Sequence, residues 1–270
     1  MHDALSLDAP KDLLVVRGLS HHFGGLQAVS KLDLTLPAGR LMALIGPNGA
    51  GKSTTVNLLA GVIAPTAGEI MLDGEDLRGQ PSHRVAKAGL VRTFQNGRLF
   101  TRLSVLENVL VGANARYRAG FFATLVRGSG FRAEEQAMHA RAMELLEGLG
   151  LARDADREVR ELPYGKQRKV EIARALILKP RVLMLDEPAA GLNSGEVEEL
   201  IAYVAALRRE GLSILLIEHN MGLVMRLADH IAVLNFGQLI ASGEPEQVRN
   251  DEAVIEAYLG RRKKVSHAAM

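Results

Sequence analysis

The stretch "GPNGAGKST", Gly46 to Thr54, fits the pattern G-x-x-x-x-G-K-[ST]. Ordinary residue frequencies produce such a match by chance about one or two times in a hundred chains of this length. Its surroundings therefore decide its meaning. "RLMALIG" before it reads as a buried strand, and "KSTTVNLLAGVI" after it reads as a helix. A strand, a glycine-rich loop and a helix in that order form a cradle for polyphosphate. Glycines let successive backbone N–H groups turn inward, and the helix that opens near Lys52 presents its positive end to the same point. The expected contacts come from Gly46, Pro47, Asn48, Gly49, Ala50 and Gly51 of the loop, with Lys52, Ser53 and Thr54 at the helix start. Lys52 is placed to reach the β- and γ-phosphates, and Ser53 to put its hydroxyl on Mg²⁺.

A phosphate cradle of this kind calls for a second strand ending in an acid. "VLMLDEP" supplies one. Asp186 is expected to hold Mg²⁺, and Glu187 to polarise an attacking water as general base. Alone, an Asp-Glu pair after a strand reads as a solvated turn; paired with the upstream loop it reads as catalytic.

Working outward, "LLVVRGLSHHF" and "KLDLTLPAGRLMALIG" alternate as strands and are punctuated by Gly24-Gly25 and Pro37-Ala38-Gly39. "GEIMLDGEDL" reads as a strand with a turn at Asp73-Gly74, and "HIAVLNFGQLIASG" as a hairpin about Asn235-Phe236-Gly237. "RVLMLDEP" and "LSILLIEH" suit buried parallel strands. The pattern turns helical from about Ser104 to Leu178, and "EVEELIAYVAALRREG" and "DEAVIEAYLG" add further helices. This predicts an α/β core with an inserted helical block.

Composition excludes several classes. Lys plus Arg total 33 against 31 Asp plus Glu, and the net charge of +2 gives no nucleic-acid footprint. The absence of cysteine rules out disulfides and thiolate metal sites. No apolar run approaches the roughly 18 residues that span a bilayer, and no signal peptide is expected. Work at a membrane would then require recruitment by another protein.

With these motifs in order, the chain resembles the ABC transporter nucleotide-binding subunits over about residues 13 to 260. The resemblance implies an α/β fold: a RecA-like P-loop NTPase core, an N-terminal antiparallel β subdomain, and a helical subdomain over about residues 96–178. Residues 1–12 would be an arm and 261–270 a basic flexible tail. It implies that Phe23 stacks on adenine. It gives Gln95, in "RTFQN", a Mg²⁺ contact beside the membrane subunit. "LPYGKQ", Leu162 to Gln167, resembles the family's signature motif, so that Tyr164, Gly165 and Lys166 would face the γ-phosphate held by an opposite subunit. His219, in "LLIEHN", matches the switch histidine, and "AAGLN", Ala189 to Asn193, the D-loop. Two departures stand out. Pro163 replaces the signature serine, with Lys166 positioned to restore positive potential, and Asn193 replaces the usual D-loop aspartate. Because Lys52, Ser53, Gln95, Asp186, Glu187 and His219 are all present, an active ATPase with ATP and Mg²⁺ is expected.

"RTFQNGRLF", "DEPAAGLN", "IEHNMGLVM" and "VIEAYLG", together with an insertion at Asn114 to Gly130, resemble the branched-chain amino acid importer subgroup. The resemblance implies a head-to-tail dimer with a copy of itself or a paralogue. It also implies docking on integral permease subunits at the cytoplasmic face of the membrane, an indirect link to a periplasmic solute-binding protein, and no nucleic acid. Importers of urea, amides or other amino acids, and a lipid or lipopolysaccharide exporter, are the alternatives within the class. A soluble ABC ATPase of DNA repair or translation would carry two ATPase domains or long coiled coils, and neither appears. A binding-only nucleotide sensor is disfavoured by Glu187 and His219.

Overall fold

The computed structural model describes residues 11–93, 99–113 and 129–259. Gln95, nearly all of the N-terminal arm, most of the Asn114–Gly130 insertion and the C-terminal tail lie outside the described residues.

Two sheets form the frame. β1 (Asp12–Phe23) and β2 (Leu26–Pro37) are joined by the expected glycine turn, and β4 (Ala67–Leu72) and β5 (Glu75–Asp76) complete an antiparallel sheet of order β2-β1-β4-β5. One face of it is apolar, with Leu14, Val16 and Leu19 of β1 and Leu32, Leu34 and Leu36 of β2 buried. The second sheet contains β3 (Leu41–Ile45), β6 (Leu90–Arg92), β7 (Val182–Asp186), β8 (Ser213–Ile217), β9 (His230–Asn235) and β10 (Gln238–Gly243) in the order β10-β9-β3-β8-β7-β6. Its pairs are parallel except β9–β10. Every residue of β3, β7 and β8 is buried, as continuous apolar runs require when both faces of a strand are covered. The loops that follow β3, β7 and β8 leave from one edge of this sheet, where parallel α/β sheets bind their ligands.

Helix α1 (Lys52–Leu59) follows β3. It ends sooner than the sequence reading through Ile63. Gly61 has φ +65°, its N–H donates to the Leu58 carbonyl, and the Val62 N–H donates to the Asn57 carbonyl. This paired closure stops the helix through a left-handed glycine, and a Cβ at Gly61 would meet the Gln80 carbonyl oxygen at 2.3 Å. The short α2 (Ser82–Ala88) leads into β6. The helical block comprises α3 (Val105–Ala113), α4 (Ser129–Gly148), two 3₁₀ turns and α5 (Tyr164–Leu176). It does not have a core of its own. Val105, Leu146 and Ala173 belong to one buried cluster with Leu183, Ile214 and Leu216 of the sheet. α6 (Ser194–Arg209), α7 (Met221–Leu227), α8 (Pro245–Arg249) and α9 (Glu252–Leu259) close the structure. Among the described residues no helix is long and apolar enough to cross a membrane.

Candidate active site

The loop after β3 is shaped by contacts that exclude side chains. Gly46 has φ +149°, and a Cβ there would lie 2.2 Å from the Leu234 carbonyl oxygen. Gly51 has φ +101°, and a Cβ there would lie 2.5 Å from the Ala28 carbonyl oxygen. The β9–β10 turn braces the loop: the Gly237 N–H donates to the Ala50 carbonyl at 2.9 Å, and the Gly237 carbonyl accepts from the Ser30 N–H at 2.7 Å. No side chain caps α1 at Gly51, so its first-turn N–H groups face the cradle. The buried Lys52 Nζ donates to the carbonyls of Gly46 (2.6 Å) and Pro47 (3.0 Å). Burial pushes the Lys52 pKa down, while Glu187 and Asp186 push it back up. Lys52 and Glu187 line one cleft.

Asp186, the last residue of β7, is buried. Its carboxylate accepts from Arg92 Nη2 at 2.5 Å, while Arg92 Nη1 donates to Asn57 Oδ1 at 2.7 Å. Arg92 thus links β6, α1 and β7 behind the cradle. The sequence reading did not assign Arg92 or Asn57 a place; the only sign was an arginine three residues before Gln95. Glu187 follows with φ +48°, a conformation that is rare for a non-glycine residue and concentrates at functional sites. Backbone bonds hold it there: its N–H donates to the Ile217 carbonyl at 2.9 Å, and its carbonyl accepts from the Ala190 N–H at 3.2 Å.

A cleft of about 360 Å³ lies over this edge. Of the residues singled out from sequence, Phe23, Asn48, Gly49, Ala50, Gly51, Lys52, Ser53, Thr54 and Glu187 line it. Leu26, Gln27, Ala28, Phe236 and Gly237 line it as well, and the sequence reading assigned none of them to a site. His219 lies in the loop after β8 and is not among the residues lining the cleft; its side chain is 63% exposed, with Nδ1 3.9 Å from Glu218.

Glu218 is a further residue that the sequence reading passed over. It is fully buried. Its Oε1 accepts from the Ala189 N–H at 2.9 Å, and its Oε2 from the His219 and Asn220 N–H groups at 3.0 and 3.1 Å. One carboxylate therefore clamps the loop after β7 to the loop after β8. An acid between a buried strand and His219 was the available sign.

The "LPYGKQ" loop stands apart from the cleft, and its side chains are occupied within the chain. Pro163 is the N-cap of α5 and offers no capping side chain. The Tyr164 ring packs on Gly191, where a Cβ would come within 2.8 Å of it. A Cβ at Gly165 would lie 2.1 Å from Glu196 Oε1, so any larger residue would have to displace the Glu196 carboxylate. Lys166 Nζ donates to Asp154 Oδ2 at 2.6 Å, and Arg157 Nη1 donates to Asp154 Oδ1 at 2.9 Å. The hydrogen bond from Lys166 is the chief cause holding the Asp154 carboxyl below its usual pKa. To restore positive potential at a phosphate, Lys166 would have to leave this carboxylate. Asn193, the departure in the D-loop, caps α6: its side chain accepts from the Glu196 N–H while the Glu196 carboxylate accepts from the Asn193 N–H, both at 3.0 Å. Asn and Asp serve about equally well at such a cap, so this part of the position survives the exchange.

A family model described as ABC transporter matches residues 29–190, and one described as branched-chain amino acid ATP-binding cassette transporter matches residues 238–264. The chain is 47% identical to the high-affinity branched-chain amino acid transport ATP-binding protein BraF of Pseudomonas aeruginosa, over 93% of this chain and 98% of that one. It is also 47% identical to the ATP-binding protein LivG of the same kind of system in Escherichia coli K12, over 92% and 98%. Among solved structures, the ADP conformation of MJ1267, an ATP-binding cassette of an ABC transporter, superposes with a TM-score of 0.81 at 30% identity, over 93% of this chain and all of that one. The fold and the cradle define a P-loop nucleotide-binding cassette. The chain belongs to the ABC transporter family.

Proposed function

We propose that this chain is the ATP-hydrolysing subunit of an importer for leucine, isoleucine and valine. The identity of 47% to BraF and LivG, spread over nearly the whole length of each, carries this reading. The match of the C-terminal segment 238–264 to the branched-chain model supports it outside the nucleotide site.

In this reading the Gly46–Thr54 loop holds the phosphates of ATP. Lys52 exchanges its bonds to the Gly46 and Pro47 carbonyls for phosphate oxygens, and Phe23 packs on the base. The hydroxyl of Ser53 and the carboxylate of Asp186 are hard oxygen donors of the kind Mg²⁺ takes. They would hold the ion with Gln95, and when bound it would neutralise charge on the phosphates. Glu187 accepts the proton of the attacking water, and His219 turns toward the γ-phosphate when the dimer closes. Catalysis is then positioning and charge stabilisation around an in-line water. A second cassette, identical or paralogous, presents its Tyr164–Lys166 helix start to the same nucleotide. The dimer docks on permease subunits at the cytoplasmic face of the membrane, and a periplasmic binding protein reports the solute through them.

The test is reconstitution with the permease subunits and binding protein in proteoliposomes. Leucine, isoleucine or valine should raise ATP turnover, because the loaded receptor must favour the closed state more than the empty one does. Stimulation by urea but by none of the three would reject the solute. Absence of ATP turnover in every assembly would reject the enzyme.

A further inference from the structure

The β9–β10 hairpin turns on two residues, Phe236 and Gly237, with Asn235 paired to Gln238. Both have positive φ, +45° and +76°. This is the two-residue turn whose twist matches the flanking strands, and its first position belongs by preference to Asn, Asp or Gly. A bulky aromatic there is a conformational outlier. Packing does not explain it either, because Phe236 is 84% exposed. A strained residue with no return in local geometry or burial points to a ligand.

Its position says which ligand. Phe236 lines the same cleft as Phe23, Leu26 and the cradle. Phe23 and Leu26 are themselves 53% and 68% exposed, and the Phe23 ring is backed by His21 at 4.6 Å, edge to face. The turn cannot drift from the cradle, since Gly237 is bonded to both Ala50 and Ser30. Two hairpin tips, one from each sheet, therefore bring two exposed aromatic rings to one phosphate-binding cleft. The part of a nucleotide that matches such a surface is its flat, weakly polar base. We propose that Phe236 is a base-contacting residue that works with Phe23, and that it sets affinity for the purine of the nucleotide. The proposal rests on the nucleotide reading of the cradle and adds a contact to it.

Phe236→Asn is the informative variant, because it gives the turn the residue it prefers. The purified full-length protein is titrated calorimetrically with ADP and, separately, with tripolyphosphate, each with Mg²⁺. The expected result is an ADP affinity reduced about 5- to 20-fold, the lower part of the range for a stacked base, with tripolyphosphate affinity changed less than about twofold. Thermal stability should be unchanged or raised, and Phe236→Tyr should restore ADP binding. Unchanged ADP affinity in Phe236→Asn would overturn the proposal and leave the aromatic for contact with a protein partner. An equal loss of ADP and tripolyphosphate would overturn it too, by showing that Phe236 shapes the cradle. If the unaltered protein binds neither ligand, the nucleotide reading fails and the proposal fails with it; if it binds both, only the proposal is at stake.

Discussion

The cradle and the "LPYGKQ" loop are both glycine-bearing turns that open a helix, yet the molecule treats them oppositely. In the cradle the backbone is braced from behind, by Ala28, Leu234 and Gly237, and its front faces a cleft. In the second loop the side chains are spent within the chain: Tyr164 on Gly191, Gly165 against Glu196, and Lys166 on Asp154. The first is a finished half-site. The second is a loop whose side chains are engaged by the segment after β7 and by Asp154. One chain thus carries the front of one proposed ATP site and the back of another.

The largest effect should come from the cradle side. Glu187→Gln should slow ATP turnover at least about a hundredfold, the usual scale for loss of a general base, while nucleotide binding survives. Near-normal turnover would remove Glu187 from the mechanism. Lys52→Ala should weaken ATP binding about 10- to 100-fold, as loss of a charge-assisted contact does, with an unchanged circular dichroism spectrum. Equal affinity in both proteins would mean that the backbone alone makes the cradle.

Glu218 tests whether the two sides communicate. Gln can accept from Ala189 or from the His219–Asn220 pair, but its amide nitrogen cannot serve the other. Glu218→Gln should lower kcat about 5- to 10-fold and leave KM for ATP unchanged, consistent with about 1–3 kcal/mol for one unsatisfied buried group. A rise in KM with constant kcat would move Glu218 from positioning the loops to shaping the nucleotide site.

The smallest effect on turnover should come from Lys166. Lys166→Ala should change ATP turnover by no more than about twofold and lower Tm by about 2–4 °C. The Asp154 carboxyl is held below its usual pKa in the fold. Its contribution to stability is therefore present above the ordinary value of about 4 and is lost as pH falls through the depressed one. The Tm gap between the two proteins should be full at neutral pH and close at pH values below that range. A gap that persists in acid would show that Lys166 acts through some other contact.

The legible parts of the molecule were those with local causes. The β1–β2 hairpin, β3 with its loop, β7, β8 and the β9–β10 hairpin follow from alternation, apolar runs and turn residues within a few positions. α2, β6, α7 and α8 span 3 to 7 residues each, too short for any hydrophobic period to emerge. Arg92 was passed over because its partner Asp186 lies 94 residues away, and Glu218 because Ala189 lies 29 residues away. Both are buried or half-buried polar groups, and such groups must find partners wherever the fold brings them.

By itself the sequence determined the cradle. Three glycines, Gly46, Gly49 and Gly51, take the positive φ the loop needs, and with a lysine and a helix directly after them the loop has few conformations open to it. Only the tertiary structure decided what stands around that cradle. It set Lys52 beside Asp186 and Glu187, tied Asp186 to Arg92 and Asn57, hung two loops on one carboxylate, and committed Lys166 to Asp154. Backbone sterics act between neighbours and can be read along the chain. Charge pairing and burial act between strands and helices brought together by folding, and they exist only once the sheet has ordered its strands.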